Sequence, residues 1–170
     1  MQDANAAEPT PQQLRHALGR FATGVTIVTC RDEHGAPTGL TANSFGGVSL
    51  EPPLVLWSVR RASPSARAFA AAKTFNINVL AEVQVDLSRR FASHAADKFA
   101  QGDWTDGRNG VPVLSGCAAV FECTSVAQHD IGDHLLFVGR VTSALESTLA
   151  PLLFQSGRYH KLGKVVGTKA

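Results

Sequence analysis

The chain has 170 residues, 44% of them hydrophobic and 18% charged, with a formal net charge of +2. That is enough apolar material for one domain with a real core, and too little charge imbalance for a nucleic-acid partner held by electrostatics. No apolar run approaches a membrane span, and the opening MQDANAAEPTPQQ lacks the basic and apolar regions of a signal peptide, so a cytoplasmic protein with no membrane partner is expected.

Residues 1–10 read as a flexible tail, 11–163 as one domain and 164–170, in GKVVGTKA, as a second tail that frays. Thr10-Pro11 is an N-cap followed by proline at the first helical position. Leu14, Leu18 and Phe21 then share a helical face, with Gly24 as the stop. Val25 to Cys30 is β-branched and strand-like; Asp32-Glu33-His34-Gly35 is a turn, and a hairpin partner enters at Thr38. Leu54 to Val59 reads as a buried strand. Ser63-Pro64 repeats the cap-plus-proline signal and opens a short helix to about Lys73.

Phe75 to Leu80 reads as a strand and Val85 to Ala92 as a helix, whereas Ser93 to Leu114 reads as loop. Ala118 to Ala127 and His134 to Leu145 are long strands joined by the loop QHDIGD, and Leu152 to Leu162 is one last strand. Six or seven strands against three helices that do not alternate with them disfavour a doubly wound sheet. A mainly β fold, a closed antiparallel barrel with peripheral helices, fits better. Cys30, Cys117 and Cys123 are odd in number and lack CxxC spacing; buried free thiols in a reducing compartment are expected, with no metal site.

The stretch Gly39–Val59 carries the most chemistry. Its ends are strand-like, and Thr41, Ala42, Asn43 and Ser44 lead into Gly46-Gly47. Small residues admit a flat ligand close to the backbone, and hydroxyls and an amide give an uncharged hydrogen-bonding rim. On composition alone the plainer reading is an edge strand entering a glycine bulge, with Phe45 in the core. Ser58, Val59 and Arg60 lead to Ser63 and Ser65, where a capped helix start beside arginine is either an anion site or an ordinary surface helix. Asp133 beside His134 orients and charges the ring, or is simply a turn. Phe91, Ala92, Lys98 and Phe99 read by themselves as a helix end and a loop, and Arg158, Tyr159 and His160 as packing on a terminal strand.

The Gly39–Val59 stretch and Gly132-Asp133-His134 resemble the flavin-contacting segment and the Gly-Asp-His motif of the short-chain flavin reductases. These are the small reductase components of two-component monooxygenases. The resemblance runs from Leu14 to Leu162. It implies an antiparallel Greek-key split β-barrel that dimerises and binds FMN or FAD near the subunit interface. It implies hydride transfer from NADH or NADPH to the flavin, and release of diffusible reduced flavin to a separate flavin-dependent monooxygenase.

By the same resemblance, Thr41 to Ser44 lie along the flavin ring, Ser58 to Arg60 with Ser63 and Ser65 meet its ribityl phosphate, and Phe91, Ala92, Lys98 and Phe99 belong to a region that closes over it, with Lys98 near the phosphate. His134, with Asp133, borders the nicotinamide pocket, and Arg158, Tyr159 and His160 line the same side. Two other readings stay open: a pyridoxamine-phosphate-oxidase-like enzyme on the same barrel, and a flavin-binding or storage protein. No GxGxxG or Walker A pattern supports a Rossmann fold or a P-loop.

Overall fold

The computed structural model describes residues 8–167, so most of the expected N-terminal tail and the last residues of the C-terminal one lie outside the described residues. Helix α1 is Pro11–Leu18. Thr10 caps it: its Oγ accepts from the Gln13 N–H at 3.3 Å, while Gln13 Oε1 accepts from the Thr10 N–H at 2.8 Å. The helix stops at Gly19 rather than Gly24, because Thr23–Gly24 is a short strand, β1. No residue of α1 is buried, and Leu14, Leu18 and Phe21 face solvent.

Next come β2 (Thr26–Arg31), β3 (Pro37–Ala42), β4 (Gly46–Leu50) and β5 (Pro53–Arg60). Helix α2 is only Ala66–Ala71, shorter than expected at both ends, and is followed by β6 (Thr74–Val79) and α3 (Val85–Ala92). The stretch expected to be loop holds a small hairpin, β7 (Trp104–Asp106) with β8 (Pro112–Leu114). Buried asparagines make it. Asn76 Nδ2 donates to Val111 O at 3.0 Å, and Asn78 Oδ1 accepts from the Leu114 N–H at 2.9 Å. These long-range bonds satisfy backbone that would otherwise be buried unpaired.

Strands β9 (Ala119–Ile131) and β10 (His134–Glu146) are longer than the sequence suggests. Most of the expected QHDIGD loop is strand, and only Gly132-Asp133 turns, with Gly132 at φ +56. A two-residue hairpin turn with glycine first and positive φ matches the twist of the flanking strands. The last expected strand is a hairpin, β11 (Leu153–Gln155) with β12 (Arg158–His160), bent at Ser156-Gly157.

The main sheet has seven strands, ordered β3-β2-β6-β9-β10-β5-β4, and every neighbouring pair is antiparallel. Its two edges are consecutive in the chain, joined by residues 43–45 alone. That link spans at most about 14 Å. A flat seven-stranded sheet would hold its edges about 29 Å apart. The sheet is therefore curled until its edges approach at Asn43 and Ser44. Trp57, stacked on Phe137 with centroids 4.7 Å apart, fills the inside with Phe69 and Phe75. A second cluster under α3 gathers Ile27, Leu80, Phe91, Leu114 and Leu152.

Candidate functional site

A cavity of about 710 Å³ opens where the sheet edges approach. One wall is the end of β3 and the bend after it, Thr41, Ala42, Asn43 and Ser44. A second is the end of β5, Ser58, Val59 and Arg60, continued by Ser63 and Ser65. The C-terminal end of α3 and the segment after it form the third, with Phe91, Ala92 and Lys98. His134 closes one end, because the β10–β5 register sets it opposite Arg60. These residues come from four separated stretches of chain.

The third wall is pinned to the first. Thr41 Oγ donates to Ser88 O at 2.6 Å, and a Cβ on Gly39 would stand 2.8 Å from Phe91 Cε1. Only glycine lets α3 lie this close to β3. Ser44 Oγ accepts from the Ser58 N–H at 2.9 Å and donates to Ser58 O at 3.0 Å, which fastens the bend to β5. The expected hydrogen-bonding rim is thus narrower than its composition suggests, since both hydroxyls are engaged by backbone. The Asn43 amide has no hydrogen bond among the described residues and remains available.

None of the lining residues is acidic, while Arg60, His94, Lys98 and His134 are basic or imidazole. Lys98 Nζ donates to Phe91 O at 2.9 Å, so its ammonium fastens the segment after α3 to the end of that helix. Burial pulls its pKa below the ordinary value of 10.5. Asp133 Oδ1 lies 2.7 Å from His134 Nδ1, and its Oδ2 lies 3.4 Å from an Arg60 nitrogen. The hydrogen bond with His134 is the main cause holding the Asp133 carboxyl below its ordinary 3.8. The Arg61 N–H donates to Asp133 O at 2.9 Å, which locks the hairpin tip to β5. His134 therefore presents Nε2 from a rigid support.

Five predicted residues lie outside the lining. Phe99 packs on Phe91 and Trp104, with centroids at 5.0 and 4.8 Å, and supports Phe91 from behind. Arg158, Tyr159 and His160 sit on β12; the Tyr159 hydroxyl meets Ser88 Oγ at 2.9 Å, beyond α3. Asp133 acts through His134 and does not line the cavity itself.

Ser63 is not a helix cap, because α2 begins only at Ala66, and Ser63 Oγ accepts instead from the Ser65 N–H at 3.4 Å. The cavity also takes in Leu40, Ala62, Pro64 and Ser93, which lie within stretches singled out in the sequence but without a role of their own, and His94 and Ala95, which sequence reasoning missed. Ser93 ends α3, and its Oγ donates to Arg90 O at 2.7 Å.

The cysteines are buried and free, and burial is the main cause pushing each thiol up to about 12. Among the described residues no group of three or more His, Cys, Asp or Glu is placed to hold a metal ion. No helix among them is long and apolar enough to cross a membrane.

Known proteins resemble this chain in sequence and in fold. The chain is 46% identical over 149 residues to a probable flavin reductase of Rhizobium meliloti, covering 88% of this chain and 48% of that relative. It is 44% identical over 153 residues to the FMN reductase (NADH) SmoA of Agrobacterium fabrum, covering 90% of this chain and 87% of that one. The solved structure of the Streptomyces globisporus NADH:FAD oxidoreductase SgcE6, in complex with NAD and FAD fragments, superposes with a TM-score of 0.88 at 36% identity, over 96% of this chain and 100% of that one. The chain spans about half the length of the first relative and 65% of the Rhizobium meliloti stachydrine N-demethylase reductase subunit Stc3. Residues 18–163 match the flavin reductase like domain, and the chain belongs to that family.

Proposed function

We infer that this protein is an NAD(P)H:flavin oxidoreductase that delivers reduced FMN or FAD to a separate flavin-dependent monooxygenase. The observation that carries this reading is the cavity's donor set: an unengaged amide at Asn43, backbone exposed by small residues, basic groups at the rim and no carboxylate among the lining residues. That set fits a large aromatic ring with a polar edge and a phosphate tail. The named roles of the relatives, FMN reductase (NADH) and reductase subunits of flavin-dependent monooxygenases, support it.

A bound flavin would supply the acceptor for the hydride of a reduced nicotinamide. The chain's residues do the rest. Thr41 to Ser44 support the ring, and the Asn43 amide meets its polar edge. Ser58, Val59 and Arg60 hold the ribityl side, and Ser63 and Ser65 offer hydroxyls to the phosphate. Phe91, Ala92 and Lys98 cover the ring and exclude water. His134, oriented by Asp133, places the nicotinamide by its free Nε2, with no obligatory proton transfer. Phe99 acts through Phe91, and Tyr159 through Ser88 of α3, with Arg158 and His160 flanking it on β12.

The same reading closes the curled sheet as a Greek-key split barrel, within a domain spanning 11–163 in a cytoplasmic protein. It also makes the chain a homodimer. Leu18 and Phe21 are 64% and 77% exposed, and Leu50 on edge strand β4 is 95% exposed; a second copy would cover such surfaces. The test is anaerobic mixing of the protein with excess flavin and NADH or NADPH. Catalysed bleaching of the flavin is expected; flavin that binds but stays oxidised would indicate a storage protein instead.

A further inference from the structure

The turn between β7 and β8 reads Asp106-Gly107-Arg108-Asn109-Gly110 and holds the one Asn-Gly step in the chain. Gly110 is exposed and has no side chain to shield the Asn109 amide carbon. In such a step the glycine nitrogen gives up its proton and bonds to the asparagine Cγ, while the Cγ–N bond breaks and ammonia leaves. Water then opens the succinimide ring, giving aspartate or isoaspartate. Water is the only co-reactant.

The fold holds this chemistry back. The Gly110 N–H donates to Gly107 O at 2.9 Å, which engages the attacking nitrogen. Asn109 Nδ2 donates to Asn76 Oδ1 at 2.7 Å, and Asn109 Oδ1 accepts from the Val111 N–H at 3.1 Å. Arg31 clamps the turn from β2, with Nε donating to Gly110 O at 2.6 Å and a terminal nitrogen to Asp106. Reaction therefore requires the two-stranded hairpin to open locally.

The same bonds make the product a poor fit. A carboxylate at position 109 loses the donor to Asn76 Oδ1 and sets two acceptor oxygens against each other. It also stands beside the Glu122 carboxylate, whose Oε2 accepts from the Asn109 N–H at 3.2 Å. Turning Asn76 over would give up its bond to Val111 O. Asn76 and Glu122 are buried, where unpaired polar groups are costly. Isoaspartate also lengthens the backbone of a turn in which even a Cβ on Gly107 would stand 3.0 Å from Glu122 Oε2. Trp104 of β7 packs on Phe91 with centroids 5.3 Å apart, and Phe91 lines the cavity.

We propose that Asn109 is a self-modification site: opening of the β7–β8 hairpin lets Asn109-Gly110 deamidate, and the product prevents redocking and strips the support from Phe91. The effect on flavin rests on the cavity being the flavin site; the modification does not.

The test incubates the full chain at mildly alkaline pH and maps it by peptide mass and isoaspartate labelling. Amide-to-acid conversion at Asn109 is expected; isomerisation at Asp106-Gly107 changes no mass and is counted apart. Arg31→Met, which unclamps the turn, speeds conversion about tenfold, the worth of one charge-assisted hydrogen bond, because the rate follows the open fraction. The urea-unfolded chain, which needs no variant, converts faster than the folded one. The converted fraction, parted from the rest by ion exchange, binds FMN about twofold to twelvefold more weakly, the worth of one aromatic pair. Asn109→Asp shows the same loss. No conversion at Asn109 overturns the proposal, as do equal rates in the folded and unfolded chain or a rate untouched by Arg31→Met. So does a converted fraction that binds FMN as tightly as the unconverted one. If neither fraction binds FMN, the proposed function falls, while conversion at Asn109 and its dependence on opening still stand or fall by the mapping.

Discussion

Asn43 and Ser44 are adjacent, small and polar, yet the structure gives them opposite energetic roles. The Ser44 hydroxyl exchanges two hydrogen bonds with the Ser58 backbone, at 2.9 and 3.0 Å, while the Asn43 amide makes none. Ser44→Ala removes both bonds. Each is worth about 0.5–1.5 kcal/mol, and because Ser44 is exposed, water recovers part of the sum, leaving about 1 kcal/mol. For a chain of this size that lowers Tm by about 2–4 °C. Asn43→Ala removes no internal bond, so its stability changes by less than about 0.5 kcal/mol.

Flavin affinity runs the other way. Losing one neutral hydrogen bond to the ring edge weakens FMN binding about twofold to twelvefold in Asn43→Ala. Thermal melts of the unliganded variants, beside fluorescence titration with FMN, read both quantities. If Asn43→Ala destabilises as much as Ser44→Ala, or binds FMN as tightly as the unaltered protein, the division of labour is wrong.

His134→Ala should raise KM for the nicotinamide, slow flavin reduction, or both, with flavin affinity nearly unchanged; identical stopped-flow reduction across NADH concentrations would return His134 to a structural role. Gly139→Ala drives a Cβ into the Phe75 ring in the middle of the sheet, and overpacking of that kind costs about 1–3 kcal/mol, read as a lower urea midpoint; an unchanged midpoint would refute the packing described. Asp133 should titrate below 3.8 by NMR, and the ties it makes to His134 and Arg60 contribute above that ordinary value and are lost as pH falls through the depressed one. In His134→Ala the Asp133 midpoint should move back up; a midpoint that stays put would remove His134 as the cause.

The strands that carry the core were legible because their signal is local. Val25 to Cys30 and Leu54 to Val59 are rich in β-branched and large apolar residues, and all of them but Val25 lie in strands of the sheet. Thr10 and Pro11 announced α1 for the same reason. The misreadings have non-local causes. His129, Asp130 and Ile131 look like loop because they are polar or isolated, yet β10 extends β9 through them by pairing. The β7–β8 hairpin depends on Asn76 and Asn78, more than thirty residues away from the backbone they bind.

The site followed the same division. Thr41 to Ser44 and His134 were visible as motifs, and the cavity gathers them. Ser93 to Ala95 enter it only because Gly39 and Thr41 hold α3 against β3, a contact that no spacing encodes. Composition also could not reveal that the Thr41 and Ser44 hydroxyls are engaged by backbone. Ser63 shows the reverse error, since a cap-plus-proline pattern preceded a helix that begins three residues later.

The most direct test of the account is a crystal structure of the protein with FMN bound. The ring should lie along Thr41 to Ser44 with the Asn43 amide at its polar edge, and the phosphate should reach Ser63 and Ser65. A flavin seated anywhere other than the cavity between β3, β5 and α3 would contradict it.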